Sequence, residues 1–176
     1  MEKAPSDAVK TYAFIALGAN LPSRLGDARQ TLDYALKRVA ELSCGPVLRS
    51  SFWLSTALDC PPGSPDFINA VAGILPAPQE TPHSLLKKLQ GIEDECGRQR
   101  SGLLNEARVL DLDLIVFQEH QCHTSDLQLP HPRAVSRKFV LEPLREIAPD
   151  LVIPGQDLGL SALIAGLRGQ SLQRMP

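Results

Sequence analysis

The chain has 176 residues, of which 43% are hydrophobic and 22% are charged. This composition suits one globular domain with its own hydrophobic core, and it excludes the disordered, collagenous and membrane-spanning classes. The formal net charge is -2, so the molecule as a whole lacks the cationic field that binding to long nucleic acids requires. We therefore predict a globular protein that binds neither nucleic acid nor membranes.

The amino terminus and the cysteines favour a cytoplasmic protein. Residues 1–10 lack the apolar centre of a secretory signal, and no run approaches the roughly 20 apolar residues needed to cross a bilayer. The four cysteines are scattered without a C-x-x-C pair, so neither a zinc knuckle nor a redox motif is expected. We predict an extension over residues 1–10 and a single domain over residues 11–176 that is monomeric.

The first half of the chain predicts three strands and one helix. Residues 12–17 are apolar on both faces of an extended chain and precede a turn, which is typical of a buried central strand. Residues 25–42 carry apolar side chains at spacings of three and four before Gly45-Pro46, which predicts an amphipathic helix. Residues 47–54 and 67–75 both have strand character, separated by a loop rich in proline and glycine.

The second half of the chain completes an alternating pattern. Thr81-Pro82 is a capping residue followed by proline, so a helix should run from there to about Cys96 and end at Gly97. Residues 109–117 predict a strand, and two helices follow over residues 139–147 and 160–167. The order βαββαβ with additional helices predicts an α+β, ferredoxin-like antiparallel sheet in a three-layer α/β/α arrangement.

Asp111 and Asp113 are the most informative polar residues of the sequence. Side chains alternate faces along a strand, so both carboxylates should project from one side, with Cα atoms about 6.6 Å apart. Two acids this close repel each other and lose solvation beside an apolar run, and a cation between them would compensate. Oxygen ligands favour Mg²⁺. The alternative is a strand end whose acids are merely solvated, and spacing alone does not separate the two.

Cationic residues lie on both sides of this acidic pair in the sequence. Arginine forks suit phosphate oxygens, and carboxylates with magnesium beside several arginines are typical of phosphoryl transfer. The alternative for each arginine is an ordinary ion pair with a nearby acid such as Glu93. The chain contains neither G-x-x-x-x-G-K-[ST] nor G-x-G-x-x-G, so side chains would have to hold a nucleotide. The cations are Arg98, Arg100, Arg108, Arg133, Arg137 and Lys138.

Several motifs in this chain resemble, in order, those of the 6-hydroxymethyl-7,8-dihydropterin pyrophosphokinase family. The resemblance covers roughly residues 12–155, and R-x-x-D-x-D together with G-R-x-R makes it specific. The motifs are Phe14-Ile15-Ala16-Leu17-Gly18-Ala19-Asn20-Leu21, Ile92-Glu93 with Gly97-Arg98-Gln99-Arg100, Arg108-Val109-Leu110-Asp111-Leu112-Asp113-Leu114, and Leu129-Pro130-His131-Pro132-Arg133 with Arg137-Lys138-Phe139.

The resemblance implies an enzyme of folate synthesis that transfers diphosphate from MgATP to the hydroxymethyl group of a reduced pterin and releases AMP. It implies that Asp111 and Asp113 bind two Mg²⁺ ions and that Arg98 and Arg108 neutralise charge on the moving phosphates, these four being the catalytic residues. The ATP site it implies comprises Glu93, Arg98, Arg100, Arg108, His131 and Arg137. The pterin site comprises Ser55, Leu58, Phe67, Asn69, Asp111 and Phe139.

The chain also departs from the family pattern. Asn105, Glu106 and Ala107 stand where the family usually has tryptophan, glycine and proline, and Ser101 stands where lysine is common. Glu106 places a negative charge close to an arginine that should meet triphosphate, which opposes anion binding. The alternative function is therefore a non-catalytic pterin or nucleotide binder on the same fold. Residues 55–66 and 97–107 are the loops expected to close over the substrates.

Overall fold

A six-stranded antiparallel sheet forms the centre of the fold. The computed structural model describes residues 9–57, 62–98 and 108–176. The strands are β1 (Ala13–Ala19), β2 (Leu48–Arg49), β3 (Trp53–Ser55), β4 (Phe67–Ile74), β5 (Asp111–Phe117) and β8 (Leu172–Arg174), and β6 (Cys122–His123) pairs with β7 (Gln128–Leu129) in a separate hairpin. The order in the sheet is β5-β1-β4-β3-β8, and β2 pairs with β4 beside β3. The four predicted strands correspond to β1, β2 with β3, β4 and β5, and their order confirms the ferredoxin-like arrangement.

Helices cover both faces of the sheet. The first two, α1 (Ala28–Ala40) and α2 (Pro82–Glu95), pack together on one face, and α3 (Lys138–Ile147) packs on the other with α4 (Leu160–Gly166) against it. The three-layer prediction is therefore confirmed. The longest described helix, α2, has 14 residues, and none in the described ranges combines the length and apolar character needed to span a bilayer.

Local capping explains where the first two helices begin. The Asp27 side chain accepts a hydrogen bond from the backbone of Gln30, and the Gln30 side chain accepts one from the backbone of Asp27. Such a capping box satisfies orphan N–H groups of the first turn, so α1 begins at Ala28 rather than at residue 25. Thr81 and Ser84 form the same box at the start of α2, which begins at Pro82 as predicted.

The predicted strand over residues 47–54 is divided into β2 and β3. Between them the backbone N–H of Ser50 donates to the Val71 carbonyl at 3.0 Å, as in a regular ladder. The N–H of Val71, however, donates to the Ser50 hydroxyl at 2.9 Å, so a side chain replaces the ladder's carbonyl acceptor and regular pairing stops there. Strand β8 was not predicted, because three residues carry too little alternation to be recognised.

Two apolar layers hold the sheet to its helices. One lies between the sheet and α1 with α2, and the other lies between the sheet and α3 with α4. Because strand residues alternate faces, β1 contributes Ile15 and Leu17 to the first layer and Phe14 to the second. The second layer is shorter along the strands and ends at Val71 and Val140. Beyond these residues polar side chains replace it and a cleft begins.

Gly73 is a position where the packing forbids a side chain. A Cβ there would lie 2.9 Å from Cε1 of Phe14 and 3.3 Å from Cβ of Leu48, and the Phe14 ring is fully buried and cannot move aside. We expect Gly73→Ala to lower the free energy of unfolding by about 1–3 kcal/mol. Urea unfolding followed by circular dichroism measures this.

Gly91→Ala on the exposed face of α2 is the matched control, since a Cβ there meets open space. Alanine favours the helix over glycine, so this variant should gain up to about 1 kcal/mol of stability. Equal stability losses in both variants would contradict the packing explanation.

Candidate active site

The candidate active site is a cleft of about 260 Å³ on the α3 face of the sheet. The carboxy-terminal ends of β1 and β3 and the amino-terminal ends of β4 and β5 form its floor, and the start of α3 forms one wall. Its volume is close to the lower limit of small-molecule sites. The polar and aromatic side chains that line it are those of Ser55, Thr56, Phe67, Asn69, Arg98, Arg108, Asp111, Asp113, Arg133, Arg137 and Phe139.

Strand register explains how distant residues meet on this floor. Gly18 in β1 pairs with Asp111 of β5 on one side and with Asn69 of β4 on the other. Residues in register share a face of the sheet, so the carboxylate and the amide flank a glycine. A Cβ on Gly18 would lie 3.5 Å from Asn69 Oδ1 and 3.9 Å from the Phe67 ring. The glycine therefore keeps the floor open between them.

Asp111 and Asp113 project from the same side of β5 into the cleft, as the alternation required. Between and beyond them Leu112 and Leu114 are buried on the opposite face. Neither aspartate is simply solvated. Asp111 accepts from Arg98 at 2.9 Å and pairs with Arg108 at 2.9 Å, while Asp113 lies 3.6 Å from Arg137 and 3.9 Å from His131.

The two aspartates have the ligand chemistry that a divalent cation needs. Burial and the negative charge of Asp111 raise the pKa of Asp113 to about 7, against the attraction of Arg137. A divalent cation would reverse this, because it stabilises both charged carboxylates. Magnesium is commonly held by one or two carboxylates plus water and phosphate oxygens, so two aspartates suit it. Among the described residues, no cluster of three or more acidic, histidine or cysteine ligands occurs.

Glu93 lies beneath the arginines rather than along the cleft. It is 2% exposed, its carboxylate accepts a hydrogen bond from the backbone N–H of Leu112 at 2.8 Å, and it also pairs with Arg98. Burial of Arg98 acts to lower the pKa of its guanidinium, but the negative charges of Asp111 and Glu93 outweigh that effect and raise the pKa. Glu93 thus ties α2 to the strand segment between the two aspartates and holds Arg98 over it.

The surroundings of His131 favour its neutral form. Burial, with the positive charges of Arg137 and Arg133, lowers its pKa to about 4. Its Nδ1 accepts from the backbone N–H of Arg133 at 3.2 Å, so a neutral ring would carry its proton on Nε2, which lies 3.9 Å from Asp113. His131 lines a neighbouring groove of about 280 Å³ rather than the main cleft, and Asp113 lines both.

Residues implied in the pterin site come together at the other end of the cleft. The amide nitrogen of Asn69 donates to the Ser55 hydroxyl at 2.9 Å and to the carbonyls of Trp53 at 3.2 Å and Phe67 at 3.3 Å. Its Oδ1 is left to face the cleft as an acceptor. Phe67 and Phe139 are both half-buried at the cleft surface, with the Arg137 guanidinium 5.5 Å from the centre of the Phe139 ring.

Two implied site residues lie outside the described ranges. They are Leu58, for the pterin site, and Arg100, for the ATP site. Ser101, Asn105, Glu106 and Ala107, which depart from the family pattern, lie outside them as well. The roles of all the implied residues stay predictions.

Comparison with known proteins agrees with the motifs. Residues 14–149 match the family described as 7,8-dihydro-6-hydroxymethylpterin-pyrophosphokinase (HPPK). The chain belongs to this family. A relative from Haemophilus influenzae, named 2-amino-4-hydroxy-6-hydroxymethyldihydropteridine pyrophosphokinase, is 40% identical over 147 residues, which cover 83% of this chain and 87% of the relative. A relative of the same name from Pseudomonas aeruginosa is 36% identical over 163 residues, 93% and 96% of the two chains.

A solved structure of an HPPK protein shows the same fold. Wild-type HPPK-DHPS of Plasmodium falciparum matches with a TM-score of 0.65 at 13% sequence identity. The match covers 88% of this chain and 42% of that longer chain. The fold and the family resemblance predicted from the sequence are therefore both confirmed.

Asn20 contacts a residue that lines the cleft, Arg108, and the sequence did not single it out. It is 6% exposed, its Oδ1 accepts from the backbone N–H of Arg108 at 2.9 Å, and its Nδ2 donates to the Pro65 carbonyl at 3.1 Å. One amide thus fixes the segment before the aspartates and the loop before Phe67. A polar residue directly after a buried strand was the available signal, because a buried amide needs partners.

The position of Glu93 leads to a test of its contribution. Glu93→Gln keeps an oxygen that can accept from Leu112 but removes the charge that pairs with Arg98. Since breaking a buried ion pair leaves a charge with less compensation, we expect a loss of about 1–3 kcal/mol in the free energy of unfolding. Chemical denaturation measures it.

Asp94→Asn is the matched control for this variant. It makes the same charge change one residue later, on an exposed side chain of the same helix for which the described structure contains no hydrogen bond. It should change stability by less than about 0.5 kcal/mol. Equal losses in the two variants would mean that the buried carboxylate has no special contribution.

Proposed function

We infer that this chain is a 6-hydroxymethyl-7,8-dihydropterin pyrophosphokinase of folate biosynthesis. It transfers diphosphate from ATP to the hydroxymethyl group of the reduced pterin and releases AMP. One observation carries this inference beyond family membership: Asp111 and Asp113 share a cleft with the guanidinium groups of Arg98, Arg108 and Arg137. Carboxylates for a metal and arginines for phosphate oxygens are the groups that phosphoryl transfer needs.

Two recesses that meet at Asp113 support a reaction between two substrates. The main cleft holds Asn69 and the two phenylalanines, which suit a flat heterocycle with a polar edge. The adjoining groove extends from Asp113 past His131 and away from those rings. We assign the pterin to the cleft and the nucleoside part of ATP to the groove, so that the phosphates cross Asp113 between them.

The aspartates and arginines would exchange partners when ATP binds. Asp111 is paired with Arg98 and Arg108, and the same guanidinium groups suit the oxygens of a triphosphate. Asp111 and Asp113 would then be available to hold Mg²⁺, which when bound supplies positive charge that neutralises the phosphates and favours the ionised hydroxyl. The cations already assembled around the aspartates would stabilise the charge that develops during transfer.

The transfer itself needs no covalent link to the protein. The pterin hydroxyl oxygen forms a bond to the β-phosphorus, the bond from that phosphorus to the oxygen of the α-phosphate breaks so that AMP leaves with that oxygen, and the hydroxyl proton is released to water. Arg98 and Arg108 orient and neutralise the phosphates, while Arg137 is placed between Asp113 and the Phe139 ring, where the two substrates meet. Positioning and electrostatic stabilisation are the main contributions to such a reaction.

Some expectations from the sequence stay predictions. They are the cytoplasmic location, the monomeric state, the two magnesium ions, the single domain over residues 11–176, and closure of the loops around residues 55–66 and 97–107.

Removal of either cleft aspartate tests the metal role. We expect Asp111→Asn and Asp113→Asn each to reduce pterin-dependent formation of AMP from MgATP at least about a hundredfold. Each variant loses a carboxylate that would bind Mg²⁺, and without the metal the charge on the phosphates is no longer compensated. The control Asp157→Asn changes an exposed acid far along the chain from the cleft motifs and should retain activity. Chromatographic quantification of AMP with purified protein gives the answer.

The same assay separates the enzyme from a non-catalytic binder. A binder would be protected against heat by pterin or ATP while the unmodified chain produced no AMP. Full turnover in either aspartate variant would refute the role of that carboxylate but not the activity.

Asn69 provides a separate test of the pterin assignment. Its Oδ1 faces the cleft, so Asn69→Ala removes one acceptor for a ligand N–H as well as the amide that holds Ser55. We expect the KM for the pterin to rise about tenfold and the KM for MgATP to stay within about twofold. Steady-state kinetics with each substrate varied in turn measure both. Equal increases for the two substrates would contradict the division of the site.

A further inference from the structure

The carboxy-terminal segment reaches the active site through one side chain. The amide of Gln170 accepts a hydrogen bond from the backbone N–H of Lys138 at 2.8 Å and donates one to the carbonyl of Ser136 at 2.9 Å. These two groups lie immediately before and after Arg137. One glutamine from more than thirty residues away along the chain therefore holds the backbone on both sides of an arginine that lines the cleft.

The start of α3 has no local cap that could do this instead. Arg137 occupies the N-cap position and makes no side-chain capping hydrogen bond. The first N–H groups of a helix have no partner within the helix, so the N–H of Lys138 depends on a group from elsewhere. Gln170 supplies that group and fixes the direction in which the chain enters the helix.

Gln170 is itself held in place by the sheet. Strand β8 begins two residues after it and pairs with β3, where Leu172 lies opposite Ser55. Arg174 donates to the Ser51 hydroxyl at 2.7 Å and pairs with Glu146 of α3 at 3.0 Å. The segment is therefore anchored to the strand that carries Ser55 and to α3, whose N-cap is Arg137.

Arg137 needs such support because several competing groups surround it. Its guanidinium lies 3.6 Å from Asp113 and 5.5 Å from the centre of the Phe139 ring, and its side chain is only 17% exposed. A shift of its backbone would move a buried positive charge relative to the aspartate and the ring together. Sites that act by electrostatic positioning lose activity when a supporting group is displaced by as little as about 1 Å.

We propose that Gln170 is a positioning residue of the active site, which acts by holding Arg137 at the junction of the two substrates. The proposal rests on the proposed pyrophosphokinase function. It makes the carboxy-terminal strand a part of the catalytic framework, in addition to its role at the edge of the sheet.

A double-mutant cycle on kcat/KM for MgATP tests this proposal. Gln170→Ala should lower kcat/KM about tenfold in the otherwise unchanged chain and less than about twofold in an Arg137→Ala background, because its effect passes through Arg137. Gln170→Glu keeps the acceptor for the N–H of Lys138 and should recover part of the loss. A purely structural role would instead give the same factor in both backgrounds.

Gln173→Ala is the matched control. Gln173 is an exposed glutamine on β8, and the described structure contains no hydrogen bond from its side chain. Its substitution should leave kcat/KM unchanged, and melting temperatures of all variants report any general loss of stability. If Gln170→Ala keeps full activity, or if its loss equals that of Gln173→Ala, the proposal is overturned. An unmodified chain without AMP formation would instead overturn the proposed function.

Discussion

Two carboxylates two residues apart on one strand, partly withdrawn from water, set the constraint on which the rest of the site depends. Asp111 and Asp113 cannot both remain charged there unless positive charge surrounds them. In this structure arginines from three separate parts of the chain supply that charge. The proposed function uses the same arrangement, since a metal would bind the aspartates and phosphate oxygens would bind the arginines.

Polar side chains of the surrounding fold fix the backbone next to the charged residues of the cleft. Glu93 accepts from the N–H of Leu112 between the aspartates, Asn20 holds the backbone of Arg108, and Gln170 brackets Arg137. Each is a polar side chain that bonds to the main chain beside a charged residue of the cleft. Flexible arginine side chains thereby extend from a fixed backbone, which under the proposed function would reduce the entropy lost when they bind phosphate.

Features that depend on near neighbours in the chain were predicted from the sequence, and features that depend on distant contacts were not. Strand alternation placed both aspartates on one face, and capping residues placed the start of α2 correctly, because both rules depend on near neighbours in the chain. The division of residues 47–54 at Ser50 depends on a hydroxyl that meets Val71 across the sheet. No local pattern contains that contact, and the same holds for β8, which exists because β3 offers it an edge.

The sequence by itself determined the family, the order of strands and helices, and the residue types available for phosphoryl transfer. Motif spacing and periodicity are local properties, so they can be read without coordinates. Only the tertiary structure decided which arginine meets which aspartate, that Glu93 lies below the cleft, and that the end of the chain supports Arg137. These contacts join residues far apart in sequence, and they depend on the register of the strands in the sheet and the packing of α2 and α3 against them.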